Sequence, residues 1–427
     1  MEWIKDGDLS FLQKRKVEAN EAAQQTVRRI IDKVRAEGDK ALKAYTKEFD
    51  GIVLDTVRVP EQTAVDAYRH VPEGVVQAIR QAAAHIRAFH EKQKPASWTE
   101  TVEHGVVLGQ KVTPLDSVGV YVPGGTACYP SSVLMGAIPA LVAGVKRVVL
   151  VSPPQKNGRI ADGVLVAAHE IGIREIYQAG GAQAVAALAY GTETIRPVDK
   201  IVGPGNIYVM LAKKQVFGDV AIDSLAGPSE VVVLADEAAD ASLVASDLLS
   251  QAEHDKLAMP VLVTPSEALA VQVEKEIDRQ LSTLPRREIA GASVNNIGKI
   301  VLTANLASAA DTVNRIAPEH LEIATENPQE ILALIRHAGA IFLGKYSSEP
   351  VGDYFAGPNH IIPTNGSARY ASPLGVESFM KRSSIIQYTE EALRANAPAI
   401  AALARFEGLE GHARAVEKRT KGAAIHE

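Results

Sequence analysis

Residues 147–202 read RVVLVSPPQKNGRIADGVLVAAHEIGIREIYQAGGAQAVAALAYGTETIRPVDKIV, and this stretch decides the fold. Three short apolar runs, at 147–152, 175–178 and 200–202, are bounded by Gly, Pro, Asn and charged residues and read as strands. Between them, 161–171 and 182–190 carry apolar residues at helical spacing. Strand and helix in strict alternation predict a parallel sheet covered by helices, joined by right-handed crossovers.

The alternation extends both ways. A helix over 132–143 leads into the first strand, and a helix over 206–216 leads to a strand at 220–222. A second βα run follows: strands at 230–234, 260–264, 299–303, 321–324 and 340–344, with helices over 240–253, 267–281, 305–316 and 328–337. Upstream lie helices over 24–48 and 75–90, then short strands near 106–108 and 118–122. Residues 346–375 are rich in Gly, Pro, Ser and Asn with polar and aromatic side chains spaced through them, which reads as a long functional loop before a last helix near 390–405. The expected class is α/β: two Rossmann-like parallel-sheet lobes, a small N-terminal arm (1–22) and a C-terminal helical tail (371–427). The larger lobe takes 23–122 with 229–370, and the second lobe takes 123–228.

A chain of 427 residues exceeds one ordinary core. With 46% hydrophobic and 22% charged residues, it has an ordinary folded composition. A net charge of −6 without a basic run argues against nucleic acid as a partner. The single cysteine, Cys128, forbids internal disulfides and thiolate clusters, so a metal must be held by His, carboxylate or amide groups. No stretch is long and apolar enough for a membrane, and the charged N-terminus does not read as a leader; the expected location is cytoplasmic.

Three glycine turns, Val122-Pro123-Gly124-Gly125-Thr126, Gly180-Gly181-Ala182-Gln183 and Gly203-Pro204-Gly205-Asn206, each follow a strand and open a helix, where free N–H groups suit an anion. None is G-x-G-x-x-G, and any one of them reads first as a plain turn, although the recurrence of three favours a phosphorylated ligand at the sheet edge. Gly339 to Lys345 has P-loop spacing, but Tyr346 replaces the hydroxyl residue and the insert is strand-like, so it is set aside. Gln251-Ala252-Glu253-His254 closes a helix; Gln251 and His254 share a face and suit one ion, or the segment is a solvated helix end. Pro318-Glu319-His320 places an acid and a base in a rigid turn, as proton transfer requires, or forms a polar turn. Asp353 and His360 lie in the long loop, and His412 stands in a glycine-flanked tail segment after Glu407. Cys128 has no basic neighbour in sequence to activate it.

These pieces together resemble the histidinol dehydrogenase family: Ile222-Asp223 through Gly227-Pro228-Ser229-Glu230, then Asp247-Leu248-Leu249-Ser250-Gln251-Ala252-Glu253-His254, with Tyr121-Val122-Pro123-Gly124-Gly125, Pro318-Glu319-His320-Leu321-Glu322 and Gly357-Pro358-Asn359-His360. The resemblance spans nearly the whole chain. It implies a zinc-dependent homodimer of histidine biosynthesis that oxidises L-histidinol to L-histidine through L-histidinaldehyde with two NAD⁺. The zinc ligands it implies are Gln251, His254, Asp353 and His412, the last from the partner subunit. The catalytic pair is Glu319 and His320. Substrate contacts are Ser229, Gln251, His254, His320, Asp353, His360, Glu407 and His412, and NAD contacts are Tyr121, Gln183 and Asn206. It also implies that the larger lobe carries the metal and catalytic residues, the second lobe binds NAD, and the tail dimerises. The donor set alone would also take manganese or cobalt. A zinc hydrolase with Glu319 as base, a two-lobed binding protein, and an aldehyde dehydrogenase using Cys128 are the competing readings.

Overall fold

The computed structural model describes residues 1–5, 8–15, 21–124, 128–225 and 227–420. The chain forms two compact units, Met1–Gln93 with Leu115–Phe379, and Lys94–Pro114 with Met380–Glu427.

The first unit contains two sheets whose strands are all parallel. One has six strands in the order Glu2–Lys5, Lys299–Leu302, Met259–Thr264, Glu230–Ala235, His320–Ala324, Ala340–Leu343. The other has five, in the order Glu175–Gln178, Arg147–Ser152, Ser117–Tyr121, Lys200–Val202, Ala221–Ile222. The central strands are apolar along their length because helices cover both faces: Glu230–Ala235 is buried at every position, as is Met259–Thr264. Separate clusters line the two faces of the six-stranded sheet, one around Val231, Leu248 and Leu262, the other around Val232, Val263 and Leu321. The α/β class expected from the alternation is the class observed.

Several elements differ from expectation in ways periodicity cannot resolve. The helical stretch 24–48 is broken at Gly38 into Glu21–Glu37 and Asp39–Tyr45. Gly38 has φ +53°, and a Cβ there would overlap the Glu193 carboxylate, which accepts the Asp39 N–H at 2.7 Å. Val27, Ile30, Ile31 and Val34 bury as their spacing predicts, but against Val149, Tyr177 and Val185 of the five-stranded sheet and its helices. Ser117–Tyr121 is the central strand of that same sheet. A stripe reveals that a face is buried; it does not reveal which sheet covers it. Part of the expected N-terminal arm, Glu2–Lys5, adds an edge strand to the six-stranded sheet. The stretch 346–375 is not all loop: Glu349–Tyr354 is a short helix, and it carries Asp353.

The second unit pairs Met380–Gln387 with Val107–Pro114 over eight residues, antiparallel, and Trp98–Thr101 with the far side of Val107–Pro114. Helices Glu390–Phe406 and Glu410–Thr420 follow, packed through Ala401, Ala404 and Ala413. The tail expected as purely helical therefore begins with a strand whose partner lies far back in the chain.

Candidate active site

The expected acid–base pair, Glu319 and His320, is set by the start of strand His320–Ala324. Helix Leu306–Ile316 ends at Ala317, which takes the left-handed conformation (φ +50°), and Pro318 then fixes the entry to the strand. Glu319 and His320 are both buried. Glu319 Oε2 accepts the Glu230 N–H at 2.9 Å, and the His320 Nδ1 lies 3.0 Å from the Glu230 carbonyl oxygen. A carbonyl only accepts, so Nδ1 carries a proton and donates. That Nε2 is buried without a hydrogen-bond partner, 3.6 Å from Asp353 Oδ1.

Burial pushes the Glu319 carboxyl up to about 8, against the partial relief given by His320 and the Glu230 N–H. Burial works the other way on His320, but Glu319, Asp353 and Glu349 outweigh it and hold the imidazole up at about 10. Asp353 is raised by burial and lowered more by His320, His360 and His254, so its carboxyl stays below the usual range. The pair thus joins a carboxyl held partly neutral to an imidazole ringed by carboxylates.

Beside it, ligand atoms of His254, Glu349 and Asp353 all lie within 4.8 Å of one another. His254 is exposed and sits just past the end of helix Ala241–Ala252, its N–H bonded to the Gln251 carbonyl at 3.2 Å. Gln251 is fully buried, and neither its carboxamide oxygen nor its nitrogen has a partner. An unpaired buried amide is costly, so its retention is explained by a group that this carboxamide would contact. Glu349 is also buried with Oε2 unpartnered. The donor set of imidazole, carboxylate and amide oxygen fits a divalent cation. His360 donates its Nδ1–H to the Asp353 carbonyl at 3.1 Å, and burial lowers its pKa.

A cavity of about 310 Å³ joins these residues to the other sheet. Ser229, His254, Glu319, His320, Asp353 and His360 line one side; Gly203-Pro204-Gly205-Asn206 lines the other. That turn is held tightly. Lys213 and Asp223 form a buried ion pair; Lys213 Nζ also donates to the Gly203 carbonyl at 3.0 Å, and Asp223 accepts the Gly203 N–H at 2.7 Å. Gly203 has φ +117°, and a Cβ would lie 2.1 Å from the Tyr121 carbonyl oxygen. Asn206 caps the helix Ile207–Val216, its side chain accepting from Tyr208 and Val209 N–H. Tyr121 is buried at the carboxyl end of its strand, and its hydroxyl accepts the Gly181 N–H at 3.1 Å; Gln183 is buried with Oε1 unpartnered. Gly125, Thr126 and Ala226 lie outside the described residues.

Glu407 and His412 belong to the second unit, where both are exposed at the ends of its two helices. Desolvation, with Asp162 adding to it, raises the Cys128 thiol pKa, which opposes a nucleophilic role. Glu349 escaped the reading of the residues. Its signal was present: a glutamate between Ser348 and Pro350, opening the helix that delivers Asp353 one turn later.

A sequence model of the family described as histidinol dehydrogenase matches residues 13–420. The histidinol dehydrogenase of Bacillus subtilis (strain 168) is 60% identical over 409 residues, 96% of each chain. That of Geobacillus kaustophilus (strain HTA426) is 61% identical over 390 residues, 91% of this chain and 92% of the relative. The crystal structure of histidinol dehydrogenase from Elizabethkingia anophelis superposes with a TM-score of 0.94 at 39% identity, covering 99% of this chain and 98% of that one.

Proposed function

The chain belongs to the histidinol dehydrogenase family and is an oxidoreductase, and on that premise we propose that it oxidises L-histidinol to L-histidine in two NAD⁺-dependent steps at a zinc site. The observation that carries this reading is the fully buried, unpartnered Gln251 carboxamide next to the His254–Glu349–Asp353 cluster, with the unpartnered His320 Nε2 3.6 Å from Asp353.

Zinc, held by Gln251, His254 and Asp353 with the partner subunit's His412, would orient the imidazole and amine of histidinol, both good ligands, while NAD⁺ supplies the hydride acceptor. A divalent cation bound beside Asp353 and Glu349 would offset the carboxylates that hold the His320 imidazole up, and His320 would then take the hydroxyl proton on Nε2 as the alcohol carbon gives up its hydride. Its Nδ1–H stays on the Glu230 carbonyl, which fixes the ring for that task. Glu319 then takes a proton from water as the oxygen adds to the aldehyde, and the hydrate loses the second hydride to give the carboxylate. The raised pKa of Glu319 suits a base working near neutral pH. Ser229, His360 and Glu407 complete the substrate contacts. Tyr121, Gln183 and Asn206, at the carboxyl ends of the five-stranded sheet, contact the dinucleotide, the position where open parallel sheets bind ligands. The functional form is a homodimer, because two contacts, Glu407 and His412, come from the tail of the partner.

The test is stoichiometric. Two NADH per histidinol are expected, none after chelation, and two again when zinc is restored. One NADH with accumulated aldehyde, or full turnover in chelator, refutes the two-step zinc reading.

A further inference from the structure

Three elements deliver the polar groups of the metal and proton-transfer site. Helix Ala241–Ala252 carries Gln251, strand His320–Ala324 carries His320, and helix Glu349–Tyr354 carries Asp353. Each of the same elements carries a second carboxyl. Asp247 is one turn before Gln251 on the same helix face. Glu322 is two residues beyond His320, on the same face of the sheet. Glu349 is the first residue of the short helix. The three are joined: Glu322 Oε1 accepts the Glu349 N–H at 2.7 Å, and Asp247 and Glu322 hydrogen-bond to each other.

The helix that carries Asp353 has only six residues, too few to hold itself together. Its N-terminus lacks the usual support. Ser348 makes no side-chain cap, and Pro350 has no N–H. Glu322, buried in the strand next to the edge of the six-stranded sheet, supplies the acceptor that Ser348 does not. Asp353 follows one turn after the residue so held, so the direction of its carboxylate depends on that anchor.

We propose that Glu322 is a positioning residue, which caps the Glu349–Tyr354 helix from the sheet and thereby sets Asp353 toward the metal. This rests on the metal reading above. Outer contacts that orient a ligand typically change metal affinity 10–100-fold when removed.

The experiment compares zinc affinity of the full-length dimer, by competition with a chromophoric chelator, for the wild type and for Glu322→Gln, Glu322→Asp and Glu322→Met. Gln keeps an oxygen at the same reach and is expected within about threefold of the wild type. Met keeps the volume without the acceptor, and Asp keeps the carboxyl but falls short; both are expected to bind zinc about 10–100-fold more weakly. A merely structural role would weaken Gln and Asp by their destabilisation alone, with no rescue by Gln. Equal affinity in all three variants overturns the proposal. If Met does not fold, Gln against Asp decides it, and equal affinity there overturns it too. A wild type that binds no zinc overturns the metal reading and this inference with it.

Discussion

Replacing Glu319 by Gln tests the division of labour proposed for Glu319 and His320. The structure makes the swap mild for folding. Glu319 Oε2 accepts one N–H, from Glu230 at 2.9 Å, and an amide oxygen can take its place. The carboxyl is held up at about 8, so at pH 7 only roughly a tenth is ionised and the wild type already resembles a neutral group. Stability should change by no more than about 1 kcal/mol. Chemistry should change far more, because the amide cannot take a proton. Loss of a positioned base costs about 10²–10⁴-fold, and under the proposed division of roles it should fall on the aldehyde step alone. The assay is NADH formation from histidinaldehyde and NAD⁺ across pH. In the wild type the rate should climb roughly tenfold per pH unit below 8 and flatten above it, as the carboxyl ionises. The variant should lack that limb, and NADH per histidinol should fall from two toward one. A variant that oxidises histidinaldehyde at the normal rate, or that keeps the same ascending limb, refutes Glu319 as the base.

Further outcomes follow from the same geometry. Glu322 is pushed up to about 9 by burial and by Asp247, so its favourable contribution to stability is complete below about 4.5 and disappears as pH rises through about 9; metal-free Glu322→Gln should therefore lose less melting temperature than the wild type over that window. Lys213→Met strips the partner from a buried carboxylate and should cost about 3–5 kcal/mol, visible as a drop of about 4–7 °C in the first thermal transition; an unchanged transition would mean the pair contributes nothing. Gly203→Ala forces a Cβ against the Tyr121 carbonyl at φ +117°, and NAD⁺ affinity measured by titration should fall at least tenfold, with no fall counting against the turn as part of the dinucleotide site.

Much of this protein is local in origin and therefore legible in the chain. The βα alternation from Arg147 to Val202 needed only period and punctuation, and helix Glu267–Leu281 and strand Lys200–Val202 fall where spacing put them. The glycine turns were visible because positive φ and close approach leave no other residue. The Glu319–His320 pair stood out because two titratable groups follow a proline at the mouth of an apolar strand. What escaped was the short helix around Asp353, too brief for a period to register, and the strand Met380–Gln387, whose pairing partner lies far back in sequence.

Composition and periodicity determined the class, the parallel sheets and the residue types able to do chemistry, because those follow from interactions a few residues long. Tertiary structure alone decided that Gln251 is buried without a partner, that His254, Glu349 and Asp353 converge within 4.8 Å, and that Glu322 reaches the helix behind them. Convergence of side chains from separate elements depends on how a sheet stacks its strands, and stacking is set by long-range burial that no short window of sequence contains.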